Sequence, residues 1–100
     1  MAKTWFETQL SQALSAGRKR DYRKAVTILE NLAARGYAEN GDRASGGHPE
    51  LYLYLARSYH ALGNFARAVA YARLYLELRP DDGSGWFFLG RTYLASGTVH

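Results

Sequence analysis

Displaced by 34 residues, the C-terminal part of this chain falls on its own middle: Tyr52 on Trp86, Leu55 on Leu89, Ala56 on Gly90, Tyr59 on Tyr93 and Gly63 on Gly97. Size class and order are kept at every pair, and a period of this length belongs to stacked helical hairpins rather than to heptads or strands. The residues explain the period. Tyr52, Leu55, Ala56 and Tyr59 recur at intervals of three and four, which places them on one face of a helix predicted over Pro49 to Leu62. Gly63-Asn64 ends it, because glycine closes a helix in the left-handed conformation at little cost. A second helix is predicted over Phe65 to Leu78, with Ala68, Val69, Ala72, Tyr75 and Leu76 facing inward. Pro80 stops that helix, and Asp81-Asp82 caps its successor, predicted from Gly83 to Ser96.

The N-terminal third follows the pattern less closely. Asp21-Tyr22-Arg23-Lys24-Ala25-Val26 parallels Asn64-Phe65-Ala66-Arg67-Ala68-Val69 at a spacing of 43, so a helix is predicted from about Asp21 to Ala34. The nine extra residues fall in a polar, glycine-bearing stretch over 36–48, too long for a tight turn. Upstream, Trp5, Phe6, Leu10, Ala13 and Leu14 trace an apolar face for a first helix over Lys3 to Ala16. If Gly17 is its turn glycine, Arg18-Lys19-Arg20 is an insertion. The expected organisation is a single domain over 1–100: a divergent repeat at 3–35, an inserted loop at 36–48, a repeat at 49–82, and the first helix of an incomplete repeat at 83–97.

Composition narrows the chemistry. Cysteine is absent, so there is no disulfide framework, thiol nucleophile or thiolate metal site. The histidines, His48, His60 and His100, share no helix at metal-ligand spacing, and they read as a loop residue, a groove-side solvated residue and a chain end. No Gly-x-Ser-x-Gly element is present, and Gly46-Gly47 is not followed by Lys-Ser/Thr, so neither a nucleophile elbow nor a phosphate cradle is indicated. The expectation is a protein that is not an enzyme and needs no cofactor and no metal. Met1 to Leu10 lacks the apolar run of a signal peptide and no stretch has the length of a membrane span, so a cytoplasmic location is expected. The formal charge of +4 offers a nucleic-acid reading, but the clustering is limited to Arg18, Lys19, Arg20, Arg23 and Lys24, five of the thirteen basic residues, and a solvated helix-helix turn is the preferred explanation of that run.

Trp86-x2-Leu89-Gly90-x2-Tyr93 resembles the first-helix motif of tetratricopeptide repeats, and Tyr52, Leu55, Ala56, Tyr59, Gly63, Phe65, Ala68 and Pro80 resemble a nearly complete repeat. The family places a bulky residue before a small one late in its second helix, and here Ala72 and Tyr75 invert that order. The resemblance implies an all-α fold of tetratricopeptide-like antiparallel helix pairs, about five helices forming part of a right-handed α-solenoid. It also implies a protein-interaction adaptor whose concave groove is lined by the first helices, which assigns Leu53, Arg57, Phe87 and Arg91 to a partner peptide or helix, acidic and apolar in character. The Lys and Asn set with which some relatives grip a C-terminal carboxylate is missing. Trp86, Leu89 and Tyr93 ordinarily receive the second helix of their own repeat, so a second copy of the chain or further repeats of a longer protein are expected to cover them. A purely structural, self-associating solenoid is the remaining alternative.

Overall fold

Where a helix starts here, a short polar side chain usually answers one of its free backbone N–H groups. Thr4 Oγ1 accepts from Glu7 N at 3.1 Å, Asp21 Oδ1 from Lys24 N at 3.3 Å, Asn64 Oδ1 from Arg67 N at 3.2 Å and Asp82 Oδ1 from Ser84 N at 2.9 Å. The computed structural model, which describes residues 4–40 and 47–97, has five helices among them: α1 Trp5–Arg18, α2 Tyr22–Ala34, α3 Glu50–Ala61, α4 Phe65–Leu78 and α5 Gly83–Ser96. Only α3 lacks a side-chain cap, its cap position being Pro49. The last two helices have the bounds the sequence predicts. The first is shifted toward the C-terminus, and its expected start at Lys3 lies outside the described residues.

That shift corrects the reading of Gly17. Helices α2, α3 and α5 close on glycines at positive φ, Gly36, Gly63 and Gly97. After α1 the left-handed position is taken by Arg20, at φ 63°, and Gly17 lies inside the helix. The closing hydrogen bonds match those after α3: Arg20 N–H to Gly17 O and Asp21 N–H to Ala16 O correspond to Gly63 N–H to His60 O and Asn64 N–H to Tyr59 O. Arg18-Lys19-Arg20 is therefore no insertion, and the spacing of 43 runs unbroken through the turn. In that register Gln9, Gln12 and Ala16 stand where α3 has Tyr52, Leu55 and Tyr59, which is why α1 shows so little of the motif.

Helices adjacent in sequence pack on one another, giving an array of 49 × 29 × 20 Å. The chain zigzags, and α1, α3 and α5 run along one side of it, with cavities between neighbours. Leu29, Leu32, Leu51 and Leu55 are fully buried, and so are Ala13, Ala25, Ala56, Ala68 and Ala72. The small side chains let helix backbones approach while the leucines fill the space between. The inverted pair is in the core: Tyr75 lies behind Gly85, where a Cβ would stand 2.9 Å from Tyr75 Cε2 and from Leu76 Cδ2. Gly85 thus absorbs the bulk that the inversion moves to position 75. The 36–48 stretch is anchored at both described ends, since His48 N–H donates to Tyr37 O at 2.9 Å and Phe6 stacks on both Tyr37 and His48. Among the described residues no helix is long and apolar enough to cross a membrane.

Candidate functional site, the face of α1, α3 and α5

Three of the four residues assigned to the groove meet. Arg57 on α3 and Phe87 and Arg91 on α5 line one cavity of about 440 Å³, together with His60, Ser84 and Phe88. The fourth does not join them: Leu53 is buried in the core and lines none of the cavities described here. The reason is its place in α3, where Leu51, Tyr52, Leu53 and Leu55 are all buried and the apolar face is wider than a single stripe. Phe87 is 69% exposed, a large apolar surface beside two guanidinium groups.

Those guanidinium groups are unspent. Among the described residues neither Arg57 nor Arg91 has a side-chain hydrogen bond, ion pair or ring partner. Other arginines are engaged: Arg35 lies 4.8 Å over the Trp5 ring, Arg67 donates to Tyr59 Oη at 3.1 Å, and Arg73 donates to Tyr93 Oη. Arg57 also reaches a second cavity of about 400 Å³ between α1 and α3, where Arg18, Leu14, Tyr22 and Tyr54 join it. Neither cavity is lined by a carboxylate.

The acids are occupied elsewhere. Tyr52 donates to Glu39 at 3.0 Å, Tyr59 to Glu30 and Tyr75 to Asp82. Burial, reinforced by Glu39, pushes the Tyr52 phenol up to about 12; burial also raises Tyr59 and Tyr71, and the bond to Asp82 raises Tyr75. Hydrogen bonds from Ser84 and then Tyr75 hold the Asp82 carboxyl down at about 2. Glu30, Glu39 and Asp82 keep their charge but are held by tyrosines away from the two cavities, so Arg57 and Arg91 face no acid there.

His60 is the residue the sequence misplaced. It is half-buried rather than solvated, with Nδ1 3.0 Å from Thr92 Oγ1 and its ring edge-on to Phe65 and tilted on Phe88. The repeat gave no signal for this, because a displacement of 34 pairs His60 with Leu94 and not with Thr92. His48 is half-buried as well, stacked on Phe6 with Glu50 at 3.3 Å, and His100 lies outside the described residues. Among the described residues no group of three His, Cys, Asp or Glu could hold a metal ion.

The residues assigned to self-association separate. Trp86 is 53% exposed and Tyr93 half-buried, and with Arg73, Leu76 and Glu77 of α4 they line an open cavity of about 500 Å³. Leu89 also borders it but is buried, because α4 packs over that part of α5. Exposed Leu94 lines a separate apolar cavity with Phe87, Gly90, Arg91 and Tyr93. The basic run Arg18, Lys19, Arg20, Arg23 and Lys24 lies exposed around the α1–α2 turn.

Residues 49–92, covering α3, α4 and most of α5, match the family model of the tetratricopeptide repeat. Searches of curated proteins and of solved structures returned no match. Over this segment the chain is similar to the tetratricopeptide repeat, and its helices form an all-α helical-repeat array of that kind.

Proposed function

We propose that this chain is a protein-interaction adaptor that receives an acidic and apolar segment of a partner protein on the face of α1, α3 and α5. Tetratricopeptide repeats in general serve as protein-interaction modules, and one observation carries the finer reading. Arg57 and Arg91, exposed and without partners among the described residues, line the same cavity as exposed Phe87. Guanidinium groups donate to carboxylates in bidentate geometry, and the aromatic ring supplies apolar area beside them. An N-acetylated, C-amidated peptide of alternating aspartate and leucine tests the reading by titration calorimetry. Binding is expected, and the double change Arg57→Glu with Arg91→Glu is expected to abolish it while helical circular dichroism is kept. Undiminished binding would remove the arginines from the site. A steep loss of affinity with salt, together with binding of a generic duplex, would transfer the function to the basic run at 18–24.

The open face of α5 favours a second property, association with a second copy of the chain. Arg73 and Glu77 stand one helical turn apart beside the same apolar cavity. A two-fold axis there sets Arg73 of each copy against Glu77 of the other, the pairing an isologous interface requires. Light scattering after size exclusion is expected to give a dimer mass that Trp86→Glu, at an exposed residue lining that cavity, reduces to a monomer. Leu89→Glu is the poorer probe, since Leu89 is buried within the fold.

A further inference from the structure

Two polar side chains of the α3–α5 cavity are left unused by the groove reading: Ser84, whose hydroxyl donates to Asp82, and His60. Its Nδ1 lies 3.0 Å from Thr92 Oγ1, and the same oxygen lies 3.0 Å from Phe88 O. A threonine hydroxyl carries one proton, and a carbonyl oxygen can only accept. The hydroxyl proton therefore goes to Phe88 O, the common back-bond of a threonine within a helix. The bond to His60 then requires Nδ1 to be the donor, which fixes the tautomer. Thr92 is fully buried, and both of its bonds survive a change of charge on His60, because Nδ1–H is present in imidazole and imidazolium alike. The change is confined to Nε2, a lone-pair acceptor in the neutral ring and an N–H donor in the protonated one.

We propose that His60 is a proton-gated third donor of this cavity: once protonated, it joins Arg57 and Arg91 in holding a side-chain carboxylate of the bound segment. The proposal rests on the groove reading above. A carboxylate entering beside Nε2 favours the imidazolium, and by reciprocity protonation favours the carboxylate. The charged groups around His60 are Arg57 on its own helix and Arg91 on α5. On α4, Arg67 is turned to Tyr59 and Glu30, and at the start of α5 Asp82 is spent on Ser84 and Tyr75. No carboxylate lines the cavity to compensate the imidazolium from within, so the ligand is the source of the opposite charge. Phe65 and Phe88 pack against the ring, and with Nδ1 turned to Thr92, Nε2 is the ring nitrogen left for a ligand of the cavity that His60 lines.

The blocked aspartate–leucine peptide separates this proposal from the one beneath it, because aspartate stays ionised well below the histidine range. Titrated against the full chain, the peptide is expected to bind about three- to tenfold more tightly at about pH 5.5 than at about pH 8, tenfold being the full effect of a one-unit shift on binding. His60→Gln, whose amide can still donate to Thr92, is expected to bind equally at both pH values with the affinity of the unmodified chain at the higher one. His48→Gln keeps the dependence. Long-range nitrogen–proton spectra of the unmodified chain are expected to show His60 protonated at Nδ1 at the higher pH, a readout that does not depend on a variant folding. Binding that does not change with pH, a dependence that survives His60→Gln, or an Nε2-protonated neutral ring overturns the gate alone. Absence of binding at both pH values overturns the groove reading and the gate with it.

Discussion

Helices α3 and α5 carry the same motif residues one period apart, yet the two sets occupy different surroundings. Tyr52, Leu55 and Tyr59 are all buried, whereas of their counterparts only Leu89 is, with Tyr93 half-buried and Trp86 largely in solvent. The difference is a helix. α4 crosses the motif face of α3, and among the described residues no helix crosses that of α5 beyond what α4 covers from its side. The motif therefore specifies a face, and the neighbour decides whether that face becomes core or docking surface. Polar groups follow the same division: Tyr59 is held by Glu30 and Arg67, while the Tyr93 hydroxyl is met by the exposed Arg73.

The largest effect expected from this contrast is on stability. Tyr59→Ala removes a buried ring stacked on Tyr71 together with its hydrogen bond to Glu30, so it should cost about 3–5 kcal/mol, the range for large aromatic truncations in cores. Tyr93→Ala, at the equivalent position, should cost less than about 1 kcal/mol, in the range of surface changes. Urea unfolding followed by circular dichroism measures both. Equal losses would mean that the motif face of α5 is covered, for instance by a second copy at the concentration used, and dilution would then separate the two variants again.

A smaller and opposite pair of effects is expected at two glycines of α5. Gly85 stands where α3 has the fully buried Leu51, and Gly90 where it has Ala56. Because Tyr75 and Leu76 crowd the first, Gly85→Ala should destabilise by about 1–3 kcal/mol, the cost of overpacking a core. A Cβ at Gly90 meets nothing within 4 Å, so Gly90→Ala should stabilise by about 0.5–1 kcal/mol through the lost flexibility of glycine in a helix. Thermal melts of the two variants should move in opposite directions. A destabilised Gly90→Ala would place an unseen neighbour against the open face.

How much of this was legible follows from the range of each signal. Gly63, Pro80 and Gly97 are local stop signals, and of the helices they bound α4 and α5 have the predicted bounds while α3 is one residue shorter at each end. Arg20 was missed because the left-handed position it fills is ordinarily announced by glycine, and Gly17 stood close enough to be taken for it. Arg57, Phe87 and Arg91 were found together because one period carries Arg57 onto Arg91. The depth of Leu53 was not found, since an apolar residue beside a motif aromatic can face core or groove, and only packing decides which. His60 was hardest. Its tautomer depends on a hydroxyl 32 residues away whose own proton is committed to a third residue, and no spacing in the sequence encodes that.

The smallest effect concerns alkali and separates Tyr52 from Trp86. The Tyr52 phenol is raised from 10 to about 12, first by burial and then by its bond to Glu39. A phenol whose folded value lies above its unfolded value contributes stability that is complete below the unfolded value and is lost as pH rises toward the folded one. Stability is therefore expected to fall between about pH 10 and about pH 12, with Tyr59, Tyr71 and Tyr75, all shifted upward, contributing to the fall. Tyr52→Phe should cost about 0.5–1.5 kcal/mol at neutral pH for the lost hydrogen bond, and it should make the alkaline slope shallower. Trp86 does not titrate, and it is largely solvated, so Trp86→Tyr should introduce a phenol without steepening the slope. Unfolding free energies measured across that window decide the matter. A slope left unchanged by Tyr52→Phe, or steepened by Trp86→Tyr, would show that the two motif positions are not as differently buried as their surroundings make them.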